Sequence, residues 1–494
     1  MTQQVALADR PKERTHSSFT RFAANAISVL TSDAITRATT FAIYALVGRF
    51  LGPYEFGQMS LALTFFYIGQ VGAIAGMRSL LTRELAKAPS QAALYLVNGS
   101  ALATGCSVLS VVAIVVCVLG LGYSGDTEAI ILLLSLGLLP YSLGVVCESI
   151  FQAHERMGFI ALATVPVNVG KLVVALALLA TGHGLVALLI LLLAGYTVTT
   201  LIEWVFVLRL IGRHKAVVHP RLVRRLARST MPFLGVEGFV ALMSSSNILL
   251  LSKLAGEREV GLYTAASQVL VPMTLICTSV VQAAFPTMCR AFVNGSQNMA
   301  VIVRKLVGLL ISIAFPMALE ISFLATSVLL LLYHDPAFSS GAATLKVIAC
   351  TLVLQAPTAV LGQALYAELH ERTNLRITAL DATAGIVLGV VLITHFGLVG
   401  AAVATVATKL LDFVLHYASV RRILPSLSLA SALWKPGLAG LHVAALLTFT
   451  QSAMPAFSLA IGVVVFAFVL VELEIITSRG SRVWWACHQQ WWPE

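Results

Sequence analysis

Long apolar runs separated by short polar breaks fill this chain from about residue 23 to about residue 477. A helix needs roughly 20 apolar residues to cross the hydrocarbon core of a bilayer. By that measure the pattern predicts fourteen spans, at about 23–48, 56–77, 95–120, 129–151, 158–181, 184–208, 232–253, 260–284, 305–332, 342–366, 375–395, 398–419, 434–451 and 456–477. The predicted fold class is an all-α polytopic membrane protein. The first break is the most informative. In "VGRFLGPYEFGQMSLALTFF" (Val47–Phe66) an apolar helix ends at Arg49, Gly52 to Glu55 make a turn, and a second apolar helix begins at once.

That break recurs. "SKLAGEREVGLYTAASQVL" (Ser252–Leu270) follows the seventh span as the first stretch follows the first span. A shift of 204 carries Gly52 onto Gly256, Glu55 onto Glu259, Gly57 onto Gly261, Ala62 onto Ala266, Arg49 onto Lys253 and Asp33 onto Glu237. "AHERMG" (Ala153–Gly158) reappears as "LHERTN" (Leu369–Asn374) after 216 residues. "GLV" at Gly184 reappears at Gly397 after 213. Three blocks in order at nearly equal shifts predict two pseudo-symmetric lobes of six spans, followed by two additional C-terminal helices. Six is even, so both lobes enter the membrane the same way and form a parallel repeat, as in some transporters. The predicted organisation is an N-terminal tail (1–22), an N-lobe (23–211), a basic connector (212–231), a C-lobe (232–424), two further spans (425–478) and a Trp-rich tail (479–494).

Composition agrees with membrane insertion: the 494 residues are 58% hydrophobic and 11% charged, more apolar surface than a soluble protein can hide. The net charge of +10 is explained by placement rather than by nucleic acid. With the N-terminus inside, the cytoplasmic segments collect nearly every Lys and Arg outside the spans, and the opposite loops hold Arg49, Lys253 and Arg258. The positive-inside rule thus puts both termini in the cytoplasm. No cleavable signal peptide is read, because the polar tail through Phe19 runs straight into a first span carrying Asp33 and Arg37. The connector sets Arg221, Arg224, Arg225 and Arg228 at helical spacing, which suits a surface helix held by anionic headgroups. The seven cysteines form no CxxC pair and read as small apolar filler.

An enzyme is not supported: no HExxH, GxSxG or P-loop occurs in a fitting context, and no outer connection is long enough for a catalytic domain. No metal site or other cofactor is predicted. The polar residues inside spans say more. Asp33, Thr36, Arg37, Thr40 and Tyr44 share one face of the first span, Glu237, Ser244 and Asn247 one face of the seventh, and Gln268 joins the polar face of the eighth. Such faces suit lobes that meet around a hydrated cavity. A charge at mid-span costs roughly 2.5–3.5 kcal/mol on insertion scales. Asp33 and Arg37 can offset part of that by pairing with each other. Glu237 keeps the acid of the repeat while Ala241 replaces the arginine, which argues that the acid has a role beyond that pair. Lys171 and Lys346 have no local partner in the sequence and are candidate anion contacts. Lys409 and Asp412, three apart, read as a local pair. Arg49 and Lys253 either snorkel to the interface or form a cationic rim.

"RFLGPYEFGQMSLA" resembles the first outer loop of the polysaccharide flippases, a branch of the multidrug/oligosaccharidyl-lipid/polysaccharide exporter superfamily. The matching positions are Arg49, Leu51, Gly52, Pro53, Phe56 and Gly57, and "LTRELAK" (Leu81–Lys87) is similar to that family's loop after span two. The resemblance implies alternating-access export of an isoprenoid-pyrophosphate-linked oligosaccharide across a bacterial inner membrane. It implies membrane lipids as surroundings and polysaccharide polymerase and chain-length machinery as partners. Cations would meet the phosphate and sugar, with Arg37, Arg49, Lys253, Lys171 and Lys346 as the candidates here. Asp33 and Glu237 would bind a coupling ion, Na⁺ or H⁺. Thr40, Tyr44, Ser244, Asn247 and Gln268 would line the cavity. Competing readings are a multidrug cation exporter or a peptidoglycan-precursor flippase of the same superfamily, and a membrane-embedded polymerase or ligase.

Overall fold

The computed structural model describes residues 12–74, 76–212, 217–293, 296–368 and 370–450, together with 465 and 469. Among the described residues all regular structure is helical. Two compact units divide the chain, Met1–Ser245 and Ser246–Glu494. The first holds α1 (Lys12–Ile74), α2 (Met77–Lys87), α3 (Ala92–Leu121), α4 (Gly125–Ser135), α5 (Leu138–Ala153), α6 (Gly158–Ala180) and α7 (Leu185–Ile211). The boundary falls inside α8 (Pro220–Leu254). The second unit continues with α9 (Glu257–Val293), α10 (Ser296–Phe323), α11 (Ala325–Tyr333), α12 (Ala342–Ala367), α13 (Glu371–Ile423) and α14 (Ala430–Thr450).

Among the described residues, ten helical segments are long and apolar enough to cross a membrane. Thr31–Lys87 carries the first two predicted spans and Arg372–Ile423 carries the eleventh and twelfth. The sequence pattern foresees a loop at each junction, and the backbone makes each with a single non-helical glycine, Gly52 (φ 80°, ψ −179°) and Gly397 (φ 54°, ψ −128°). Gly52 occupies a region open essentially to glycine, and Pro53 supplies a preset φ for the helix that resumes. Gly256, the repeat partner of Gly52, also has positive φ, at 97°. The sequence repeat is therefore also a repeat of a positive-φ glycine at this turn. The thirteenth predicted span is α14, displaced a few residues toward the N-terminus. The fourteenth lies outside the described residues except for Val465 and Val469, which pack on Ala439, Val443 and Leu447. The tail 1–11, connector residues 213–216 and the Trp-rich tail 479–494 also lie outside the described residues.

Burial follows the needs of a bilayer protein. Val112, Val116 and Leu119 on α3 and Leu162 and Val173 on α6 are exposed apolar side chains, as a lipid-facing stripe requires. The first unit's core joins Met77, Leu81 and Leu85 of α2 to Ile150 and Phe151 of α5 and to Leu226 of α8. It is this core that holds the polar groups of α2 and α5 in register.

Candidate functional site

The shortest ion pair among the described residues of the first unit joins the polar faces of two amphipathic helices, α2 and α5. Arg78 of α2 meets Glu148 of α5 at 2.6 Å. One turn further along both helices, Thr82 donates to Gln152 Oε1 at 3.3 Å. Tyr141 lies within electrostatic reach of Arg78 and Glu148. Glu203 of α7, 1% exposed, lies within electrostatic reach of both Arg78 and Glu148. Asp33 of α1 acts electrostatically on Glu148. By the predicted spans, Arg78 falls just after the second (56–77) and Glu148 near the end of the fourth (129–151). Nothing in the sequence links two positions seventy residues apart.

An aromatic wall continues from this cluster. Phe66 stacks on Tyr196 with centroids 5.0 Å apart, and Tyr141 meets Tyr196 edge-on at 5.9 Å. The Lys171 ammonium sits 5.5 Å from the Tyr196 ring centroid, and its stem lies against Gly195, which has no side chain to obstruct it. Lys171 makes no ion pair among the described residues. A half-buried ammonium resting on a ring face keeps its three N–H donors for a ligand. One helical turn before it, Asn168 donates to Thr36 Oγ1 at 2.9 Å, tying α6 to the polar face of α1.

The structure thus brings Asp33 and Lys171 to the two ends of one polar and aromatic band whose middle the sequence did not reveal. Arg37 and Thr40 are exposed on α1 beside Asp33. Among the described residues Arg37 and Asp33 form no ion pair within 4 Å, so the local pairing open to them at four-residue spacing is not made. Tyr44, 8% exposed, packs on Phe56 at 5.4 Å. Arg49 is exposed three residues before the Gly52 break. Glu237 and Ser244 are exposed on α8.

In the second unit, Asn247 donates to Thr405 Oγ1 at 3.0 Å, and the Tyr263 hydroxyl meets the same oxygen at 2.9 Å. Lys409 reaches Asp412 at 3.4 Å, the local pair that their spacing suggested. Asp412 also contacts His416 Nδ1 at 2.8 Å, while His416 Nε2 lies 2.8 Å from Asn374 Oδ1. Lys253 and Lys346 are exposed, at the end of α8 and the start of α12, and Gln268 is half-buried on α9. Glu368, just beyond α12, is 6% exposed, and among the described residues neither carboxylate oxygen has a hydrogen-bond partner. Burial pushes its carboxyl above the usual range, an effect that His370 partly opposes.

A cavity of about 620 Å³ opens beside the Gly52 break, lined by Tyr54, Glu55, Gln58, Asp126 and Gly184 among others. None of the predicted cations lines it. Its carboxylates suit a cationic rather than an anionic guest.

Comparison with known proteins adds three observations. The family described as polysaccharide biosynthesis protein matches residues 22–292. No curated protein matches the chain. Among solved structures, lipid II flippase MurJ in an inward closed conformation superposes with a TM-score of 0.74 at 16% identity, covering 93% of this chain and 99% of that one. A multidrug resistance MATE family transporter of the MOP superfamily superposes in its inward-facing conformation with a TM-score of 0.57 at 17% identity, covering 79% and 94%. An outward-facing MATE structure gives 0.51 at 16%, covering 82% and 96%. At these identities the structural likeness establishes the fold, and the family match spans more than half of the sequence. With both in hand, the chain belongs to the polysaccharide biosynthesis protein family and is built on the fold shared by MurJ and the MATE transporters of the MOP superfamily.

Proposed function

We propose that this protein is a transporter that flips an isoprenoid-pyrophosphate-linked oligosaccharide from the cytoplasmic to the outer leaflet of a bacterial inner membrane, by alternating access and with both termini in the cytoplasm. The observation that carries the reading is Lys171, an ammonium inside a span with an aromatic face for support and no carboxylate pair among the described residues. A cation kept in that state suits a phosphate-bearing headgroup, because the ligand's charge offsets the cost of holding the ammonium in the membrane. Arg37 and Arg49 are exposed on the same unit, and Lys253 and Lys346 on the other. Family membership supports polysaccharide precursors as the cargo class. The solved inward- and outward-facing MATE structures support alternating access for the fold. Asp33 and Glu237 are the proposed coupling acids for Na⁺ or H⁺, and polysaccharide polymerase and chain-length machinery the proposed downstream partners.

The similarity to MurJ favours one second reading, a flippase for the peptidoglycan precursor. Proteoliposomes distinguish the two. A fluorescent polyisoprenyl-pyrophosphate oligosaccharide in the inner leaflet should become accessible outside with the native protein and lose most of that movement with Arg37→Ala. Movement of lipid II alone would assign the second reading. Expulsion of a cationic dye with no lipid movement would reject both.

A further inference from the structure

The basic stretch before the seventh span is a built surface rather than a loose tether. α8 starts at Pro220, thirteen residues before the apolar segment that begins at Phe233, and the preceding span ends at Ile211. Residues 217–232 therefore sit at one face of the membrane. Asn98 of α3, fully buried, fixes their path: its side chain donates to Val217 O at 3.3 Å and accepts from the His219 backbone N–H at 2.7 Å. Leu222, Val223, Leu226 and Ala227 then turn inward onto the α2–α3–α5 core.

With that face committed, Arg221, Arg224, Arg225 and Arg228 all lie exposed on the other. Their spacing of three, four and three-plus-four residues stacks them along two helical turns. From Gly212 to Val236 the chain contains no Asp or Glu, so nothing within the segment neutralises the stripe. Arg228 precedes the first residue of the span by about a turn and a half of helix, which puts its guanidinium fork at headgroup depth.

We propose that this arginine face is a binding site for anionic bilayer phospholipids, which anchor the start of α8 among the headgroups. The guanidinium fork matches a phosphodiester oxygen pair, and a rigid helix presents four forks with no backbone ordering cost at the moment of binding. The partner is bilayer lipid rather than transport substrate. The positive-inside pattern places the face on the cytoplasmic leaflet, where anionic lipids are concentrated. The site stands whichever lipid-linked cargo the protein moves.

The test uses the full-length protein in vesicles containing spin-labelled phosphatidylglycerol or spin-labelled phosphatidylcholine, with the motionally restricted fraction read by electron paramagnetic resonance. The native protein should prefer the anionic label, and added salt should weaken the preference. Changing Arg221, Arg224, Arg225 and Arg228 together to Gln should reduce it by roughly tenfold or more, while the four corresponding Lys substitutions retain most of it. Arg421→Gln with Arg422→Gln, at the end of α13, should leave it unchanged. If the fourfold Gln variant fails to insert, Arg225→Gln alone and the salt titration of the native protein carry the test. Equal preference in native and Gln proteins overturns the proposal, as does a salt-insensitive preference. Displacement of the anionic label by soluble pyrophosphate but not by excess unlabelled phosphatidylglycerol also overturns it, because the face would then recognise the cargo headgroup.

Discussion

Lys171 and Glu368 are both ionisable groups away from bulk water, and their surroundings treat them in opposite ways. Lys171 rests on Tyr196, so its charge is tolerated and its donors are spare. Lys171→Ala should lower flipping of a pyrophosphate-linked oligosaccharide roughly 10- to 100-fold, the value of a charge-assisted hydrogen bond, with Lys171→Arg retaining a measurable part. Unchanged initial rates in proteoliposomes would remove Lys171 from the site. Glu368 has no hydrogen-bond donor on either oxygen among the described residues, and burial raises its carboxyl above the usual range. A raised folded-state value means that its contribution to stability is fully present below the unfolded value and is lost as pH rises through the folded one. The repeat places Gln152 at the matching position, where a neutral amide accepts from Thr82. Glu368→Gln should therefore raise the melting temperature in detergent at neutral and alkaline pH and leave it nearly unchanged at acid pH. A melting temperature that falls at every pH would show that the carboxylate is held by interactions the structure does not contain. Lys171 was legible in the sequence as a charge alone in an apolar run. Its ring partner was not, because Tyr196 belongs to another helix and aromatic residues are common throughout the spans.

At the scale of elements, the turns and the pairings differ in how local their causes are. Gly52 and Gly256 were readable as breaks because a glycine with positive φ is a local requirement, and the repeat stated it twice. Gly52→Ala should destabilise the protein by about 1–3 kcal/mol, the cost of a side chain in a glycine-only region. Thermal unfolding in detergent measures it, and a change within error would mean that α1 can bend elsewhere. The pairing of α2 with α5 had no local signature. Arg78–Glu148 and Thr82–Gln152 form a ladder only because the apolar faces of both helices meet in one core. Arg78→Ala leaves Glu148 facing Glu203 and Asp33 with the compensating charge gone. The single change should lower thermal stability clearly, and adding Glu148→Gln should restore part of the loss. A double variant no more stable than the single one would show that Arg78 matters through packing and not through charge.

Over the whole molecule, the fold was written in features that survive any set of contacts: run length, the side of the membrane that holds the basic residues, and a twofold sequence repeat. The candidate site depends instead on which helix faces which, and apolar helices give few clues to their neighbours. Asp33 shows the consequence. Its charge inside a span marked it as a coupling acid, and the structure adds that it acts on Glu148 within a cluster where Glu203 is also held near the single Arg78. Carboxylates that outnumber the nearby arginine favour uptake of a cation or proton. Asp33 and Glu237, its repeat partner, are both exposed, on α1 and α8, and of the two Asp33 is the one in electrostatic reach of Glu148. The two acids should therefore differ in effect despite their shared origin. In proteoliposomes with an imposed Na⁺ or pH gradient, Asp33→Asn should abolish the gradient-driven gain in flipping while leaving gradient-free movement, and Glu237→Gln should have the smaller effect. The reverse ranking would move ion coupling to the face of α8. Full gradient response in the double variant would remove both acids and leave Glu148 and Glu203 as the groups to neutralise next.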